Sequence, residues 1–253
     1  MRTVSWLGVL LGVFWAGIGS GAVLVTAPFT TSQQVAQHWF TGGPAADVIV
    51  SNGALVFVSI PNGAPRGALT YLTDVDHPLH LQPGAELTLT FHYTFGQADL
   101  SDWGLMFGFF DSAGKQMVKQ EGSYNDPIFA GYRGYISTGV FGEAKPKRFR
   151  IARRKSGTVN NLLSPTAYER LGELTPQTGG RLPGKTYVAS LKLVCPAPGQ
   201  LTVTATIDGQ TIHETDLTAV TDFDTVAIFS TRQTLQFVIR DVIVNYQPAS
   251  GHK

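Results

Sequence analysis

The stretch Glu86-Leu-Thr-Leu-Thr-Phe-His-Tyr-Thr-Phe95 decides the fold. Leu87, Leu89, Phe91, Tyr93 and Phe95 alternate without a break with Glu86, Thr88, Thr90, His92 and Thr94. Side chains on a strand point to opposite faces with period two, so this is a long strand with one face in a core. A helix would scatter the same apolar groups around its circumference. His92 then faces away from the core, in a row of threonines, and a slip of one residue would reverse every assignment.

Working outward, Trp103-Gly-Leu-Met-Phe-Gly-Phe-Phe110 is apolar on both faces, which predicts a central strand with its second face covered. Asp47-Val-Ile-Val50 and Ala54-Leu-Val-Phe-Val-Ser-Ile60 flank Asn52-Gly53, a hairpin signal, because Asn and Gly tolerate the positive φ such turns need. Ala68 to Thr73, Arg148 to Arg153, Tyr187 to Val194 and Thr225 to Ser230 read as further strands. Leu201 to Ile207, Asp208-Gly209 and Thr211 to Leu217 form the clearest hairpin. In the closing run, Leu235 to Tyr246, the apolar parity switches at Arg240-Asp241, which predicts a bulge. Ser32 to Trp39 is short and helix-like and is read as a loop or single turn. Val118 to Gly142 shows no clean period and is the longest irregular stretch, followed after the Arg148 strand by a polar segment reaching Gly184. A dozen strands with Gly/Pro turns and no long helix predict two packed antiparallel sheets.

At the start of the chain, Arg2, an uncharged apolar run from Val4 to Ile18 and Ser20-Gly21-Ala22 have the layout of an export signal cleaved after a small-x-small site. Gly and Ser interrupt the run before the roughly 20 apolar residues of a spanning helix. The expected organisation is a signal peptide over 1–22, one β-sandwich domain over 23–246 and a flexible tail over 247–253. The mature protein is expected to be secreted or periplasmic, without stable membrane insertion after cleavage. Without Arg2 the 19 basic residues fall to the number of acidic ones, 18, which argues against a nucleic-acid partner. The single cysteine, Cys195, leaves no internal disulfide, and a chain of this size buries enough surface without one.

Gly53-Ala-Leu-Val56, Ile207-Asp-Gly-Gln210 and Phe237-Val-Ile-Arg-Asp-Val-Ile-Val244, in this strand order, resemble the concanavalin A-like lectin/glucanase superfamily. The resemblance implies an all-β, two-sheet antiparallel jelly-roll sandwich and a carbohydrate partner. The Glu-x-Asp-x-x-Glu strand of the β-glucanases and the Arg-x-Glu-Leu-Arg strand of the alginate lyases that share this fold are both absent from the sequence. Related folds often place a structural calcium ligand where Asp241 stands. One carboxylate does not make the six or more oxygen ligands calcium takes, so no metal site and no cofactor are assigned.

Lys145-Pro-Lys-Arg-Phe-Arg-Ile-Ala-Arg-Arg-Lys155 puts Arg148 and Arg150 on one strand face, where paired guanidinium groups can grip acidic sugars; the alternative is a solvated, charged strand. The loop from Tyr124 to Phe141 carries Tyr132, Arg133 and Tyr135, and aromatic faces stack on sugar rings; alternatively the loop is pinned by its own aromatics. His92, on the polar face, is placed to act as a hydrogen-bonder or general base. The substrate-binding set expected is therefore His92, Tyr132, Arg133, Tyr135, Arg148 and Arg150, converging on one groove. No catalytic residue is assigned, since Glu86, Asp111, Glu121, Asp126 and Glu143 lack the paired spacing of a glycosidase. The function expected is an exported jelly-roll that binds extracellular polysaccharide, with an acidic chain favoured by the arginines. A polysaccharide lyase or glycoside hydrolase on the same scaffold, or a structural surface protein, are the alternatives.

Overall fold

A computed structural model describes residues 21–27, 29, 39–42, 48–58, 66–96, 104–116, 121–122, 124–139, 149–155, 157, 159–174, 183–230 and 236–250. In chain order the strands begin with β1 (Ala22–Ala27), β2 (Phe40–Gly42), β3 (Val48–Ser51), β4 (Ala54–Phe57), β5 (Arg66–Tyr71) and β6 (Leu79–His80). They continue with β7 (Glu86–Phe95), β8 (Leu105–Asp111), β9 (Glu121–Gly122), β10 (Arg133–Gly139), β11 (Phe149–Arg154) and β12 (Tyr168–Leu174). The last six are β13 (Thr186–Val194), β14 (Leu201–Ile207), β15 (Gln210–Asp216), β16 (Asp222–Phe223), β17 (Thr225–Ser230) and β18 (Phe237–Gln247). Short 3-10 turns at Pro127–Gly131 and Pro165–Ala167 are the helical elements among the described residues.

Two eight-stranded sheets face each other. Sheet I runs β15-β14-β13-β7-β18-β4-β3, with β1 also paired to β18. Sheet II runs β12-β11-β10-β8-β17-β5-β2-β9. Pairing is antiparallel except between β2 and β9. A small β6–β16 ladder pairs with neither sheet but packs Phe223 against Phe109 and Tyr135 in the main core.

The deciding stretch is β7, in the middle of sheet I, and its alternation is realised residue by residue. Leu87, Leu89, Phe91, Tyr93 and Phe95 are buried, and Glu86, Thr88, Thr90, His92 and Thr94 are partly exposed. The apolar set meets Leu105, Phe107, Phe109, Val226 and Ile228 of sheet II in the main core. Phe91 and Phe107 pack edge to face with ring centroids 5.1 Å apart. Each such buried side chain contributes about 1.5–3 kcal/mol of transfer free energy before entropy is counted. Asn52 and Gly53 (φ +50° and +72°) turn the β3–β4 hairpin, as Asp208 and Gly209 (φ +54° and +74°) turn β14–β15. Both pairs have the positive φ that a two-residue hairpin requires.

β8 is buried on both faces, as its sequence predicts. Its second face belongs to a separate core of Leu69, Met106, Phe110, Ile136, Ala152, Ala227 and Phe229, covered by Tyr124, Phe129, Tyr132 and Leu162. The irregular stretch contains a regular strand, β10, and the polar segment contains another, β12. Strand β5 ends at Tyr71, ahead of the bend and turn at Leu72 to Asp76, and the closing strand carries the expected bulge: register shifts between Arg240 and Ile243. Trp103, Phe141, Arg148 and nearly all of the Ser32–Trp39 segment lie outside the described residues, whereas Trp39 is buried.

Candidate functional site

The two sheets present different outer surfaces. On sheet I the residues alternating with the core are Thr88, Thr90, Thr94, Thr186, Ser190, Lys192, Thr202, Thr204, Thr206, Thr211, His213 and Thr215, all at least partly exposed. Cross-strand pairs tie this field together: Thr94 to Thr186 at 3.1 Å, Thr206 to Thr211 at 2.9 Å, and Lys192 Nζ to Glu86 Oε2 at 2.6 Å. Near the middle, β18 inserts an extra residue opposite Phe91, so that Arg240 and Asp241 are both exposed in succession. Asp241 adopts φ +52°, a left-handed conformation uncommon for a residue with a Cβ, although Asp tolerates it better than most. The bulge sets its carboxylate 3.1 Å from Nδ1 of His92. Arg240 donates to the Asn52 carbonyl at 2.9 Å, and Val188, paired with His92 in register, is 43% exposed beside them. The contact is one of proximity and not a hydrogen bond, since Nδ1 of His92 is buried without a hydrogen-bond partner.

On sheet II two segments cross back over the outer face. The 3-10 turn at Pro127–Gly131 is capped by Asp126, whose side chain accepts from the Ile128 N–H at 3.0 Å. The second segment, around Asn161, meets the first through an Asn125–Asn161 bridge and a 2.8 Å bond from the Leu162 N–H to the Tyr124 carbonyl. Arg154, almost wholly buried, holds both. Its guanidinium donates to the carbonyls of Tyr132 (3.1 Å), Phe129 (3.0 Å), Val159 (2.7 Å) and Asn161 (3.2 Å), and it lies 5.5 Å from the ring centre of Tyr168. Burial pushes the Tyr168 hydroxyl up to about 12, although the neighbouring Arg154 works the other way.

The expected single groove does not form, because its members belong to different layers. His92 stands on the outer face of sheet I. Tyr132 is buried in the second core, where its hydroxyl donates to the Lys115 carbonyl and accepts from Tyr71, both at 3.0 Å. Tyr135 points the opposite way, into the main core, donating to Asp216 Oδ2 at 2.8 Å. Burial holds the proton on both tyrosine hydroxyls far above the ordinary range. Neither ring is open to stack on a sugar. Arg133 pairs with Asp111 at the end of β10, and Arg150 pairs with Glu173 on the outer face of sheet II. Arg148 lies outside the described residues.

Two further polar groups, the Arg153–Asp216 tie and Asp224, carry no local signal in the sequence. Arg153 bridges Asp216 (2.9 Å) and Glu169 (3.0 Å), tying the β12 edge of one sheet to the β15 edge of the other. Burial pushes the Asp216 carboxyl up, but the Thr218 N–H, the Tyr135 hydroxyl and Arg153 outweigh it and leave it below the usual carboxylate value. Asp224 is fully buried, and its burial pushes it up despite bonds from Ser112 and Thr225. Asp241, a lone carboxylate in the sequence, stands next to His92 through the β7–β18 register. Among the described residues no group of three or more His, Cys, Asp or Glu side chains is placed to hold a metal ion. Asp241 with His92 does not resemble the oxygen-rich shell of calcium.

No protein-family model and no curated protein sequence matches the chain. Solved structures do. Alginate lyase Aly36B superposes with a TM-score of 0.54 at 16% identity, over 93% of this chain and 100% of the lyase. The fold is a concanavalin A-like sandwich. The potassium-bound carbohydrate recognition domain of Emp46p gives 0.55 at 10% identity, over 91% of this chain and 97% of that domain. Peanut lectin gives 0.50 at 11% identity, over 88% and 97%. A double mutant of the lyase has also been solved in complex with alginate trisaccharide.

Proposed function

We propose that this concanavalin A-like chain is exported and binds polysaccharide through the open face of sheet I, around His92, Arg240 and Asp241. The export reading rests on Arg2, the Val4–Ile18 run and Ser20-Gly21-Ala22. One observation carries the binding reading. Of the two outward sheet faces, one is filled by a second core and the other is an open field of hydroxyls with a bulged Arg-Asp pair against a histidine. Sugar hydroxyls need donors and acceptors side by side, and His92, Arg240, Asp241 and the threonines supply both across neighbouring strands. Val188 offers an apolar spot for the C–H face of a ring. The fold is shared with lectins and with a lyase acting on alginate, which supports a carbohydrate ligand.

The charges on this face balance, Lys192 against Glu86 at 2.6 Å and the exposed Arg240 next to Asp241 in the bulge. That balance favours an uncharged, hydroxyl-rich chain over a polyanion. Of the residues expected to serve a lyase as base, Tyr132 and Tyr135 are buried and hold their protons, which leaves His92 as the one candidate on the open face. The test is affinity electrophoresis in gels containing mannan, β-glucan or alginate. The wild type should be retarded by a neutral polysaccharide, and His92→Ala or Arg240→Ala should weaken retardation about tenfold, the equivalent of 1.4 kcal/mol. A wild type that migrates freely in every gel rejects the reading.

A further inference from the structure

We infer a second saccharide site on the opposite side of the molecule, at the β10–β11–β12 margin of sheet II, which would make the chain a bivalent binder. It goes beyond the site around His92 and rests on the carbohydrate reading proposed for it. Register places Thr138, Arg150 and Glu173 side by side on three adjacent strands, on the outer face. This row lies on the β12 side of that face. Arg150 and Glu173 form an ion pair with both side chains 19% exposed, and Glu173 takes a second guanidinium, Arg170, at 3.2 Å. Arg170 is 64% exposed, so the cluster opens to solvent on that side.

Thr138 is the independent observation. It is 9% exposed, and its hydroxyl is buried with no hydrogen-bond partner. Nearly all buried hydroxyls in folded proteins are satisfied by protein, water or ligand, so an orphan beside an accessible ion pair marks a place that a polar group fills. The chemistry selects the ligand. Arg150 only donates, the Glu173 carboxylate only accepts and a threonine hydroxyl does both, which together match neighbouring hydroxyls on one sugar ring. A uronate carboxylate would meet Glu173 as a like charge. The site therefore takes a neutral saccharide, despite the arginines.

Two sites about one sandwich thickness apart, on opposite faces, cannot share one short oligosaccharide and instead join two chains or two segments of one chain. The experiment uses the same mannan, β-glucan and alginate gels, with the variants Thr138→Val, Thr138→Ser and Glu173→Gln, each alone and with His92→Ala. Light scattering on mixtures of protein with soluble polysaccharide reports cross-linking. On the His92→Ala background, a residual retardation in a neutral gel should fall about threefold or more with Thr138→Val and be kept by Thr138→Ser. Wild type should raise the scattering of the soluble polysaccharide, and either single-face variant should not. If the wild type is retarded but Thr138→Val and Glu173→Gln leave both readouts unchanged, the second site is overturned while the first stands. Tighter alginate retention by Glu173→Gln would also overturn it, because the site would then be reading an anion. Thr138→Val removes a buried orphan hydroxyl and should not lower the melting temperature, so loss of binding is not loss of fold.

Discussion

On β7 the residues that point away from the main core are Glu86, Thr88, Thr90, His92 and Thr94, and all of them reach solvent. On β8 the corresponding residues are Met106, Gly108 and Phe110, and all of them are buried. Both strands are central in their sheets and obey the same period-two geometry. The difference lies in what crosses back over them. The Tyr124–Tyr132 and Val159–Tyr168 segments cover sheet II and are clamped there by Arg154, whereas among the described residues β7 keeps its threonine face open. Connections thus decide which part of a sheet face belongs to a core, and substitutions under the cover and on the open face of sheet I should separate sharply.

The largest expected effect is at the clamp. Arg154→Met leaves four carbonyls without their charged donor, each worth about 1–3 kcal/mol before relaxation, so unfolding free energy should drop by about 3–5 kcal/mol in urea titration. Under the same cover, a methyl at Gly108 would sit 2.2 Å from the Tyr135 carbonyl oxygen, and Gly108→Ala should cost about 3 kcal/mol, at the upper end for overpacking. On the open face, Thr90→Val and Thr204→Val should change stability by less than about 0.5 kcal/mol. Equal costs on the two faces would erase the comparison.

Next in size is the tie between the sheet edges. Tyr135→Phe removes a hydroxyl that donates to Asp216 and accepts from the Val220 N–H at 3.1 Å. The loss should be about 1.5–3 kcal/mol, as for hydrogen bonds to charged groups. Acid titration probes the same tie. Asp216 lies below its ordinary value when folded, so its stabilisation is complete above the unfolded value near 3.9 and is lost as pH falls through the lower folded one. Asp224 has the opposite sign. Its folded carboxyl is raised by burial, so it opposes folding when ionised and ceases to do so as it is protonated. Asp216→Asn should therefore flatten the acid limb of urea midpoints measured from about pH 3 to pH 6. An unchanged limb would assign acid sensitivity to other carboxylates.

How much of this was legible follows from the same contrast. Glu86–Phe95 declared itself because one face is wet and one dry, and the Asn52-Gly53 and Asp208-Gly209 turns did so because few residues accept their φ. β10 was hidden: Gly134, Tyr135, Ile136, Ser137 and Thr138 are buried on both faces, so no alternation marks them. β12 was hidden for the reverse reason, as an edge strand of Tyr-Glu-Arg-Leu-Gly-Glu-Leu with little apolar content. The candidate site was legible only in halves. The parity switch at Arg240-Asp241 and the outward side of His92 could both be read locally. That they meet depends on the β7–β18 register across nearly 150 residues of chain, which local pattern does not encode. The same limit hid the bond from Tyr135 to Asp216 and made Tyr135 look available to a ligand.

The smallest expected effect on stability is the most informative about function. Asp241 holds φ +52°, where a glycine would be at ease and an aspartate is mildly strained. If the residue served only the bulge, glycine would be the better choice, and Asp241→Gly should raise unfolding free energy by about 0.5 kcal/mol. The same substitution deletes the carboxylate 3.1 Å from His92 Nδ1 and so removes an acceptor from the proposed sugar site. The expected variant is thus slightly more stable and a weaker binder, by about tenfold in gel retardation. Asp241→Asn separates the two effects. Asparagine tolerates the left-handed conformation as well as aspartate does but carries no charge, so it should weaken binding without the gain in stability. A glycine variant that is more stable and binds as tightly as the wild type would reduce Asp241 to a bulge residue and remove the open face of sheet I from consideration as the site.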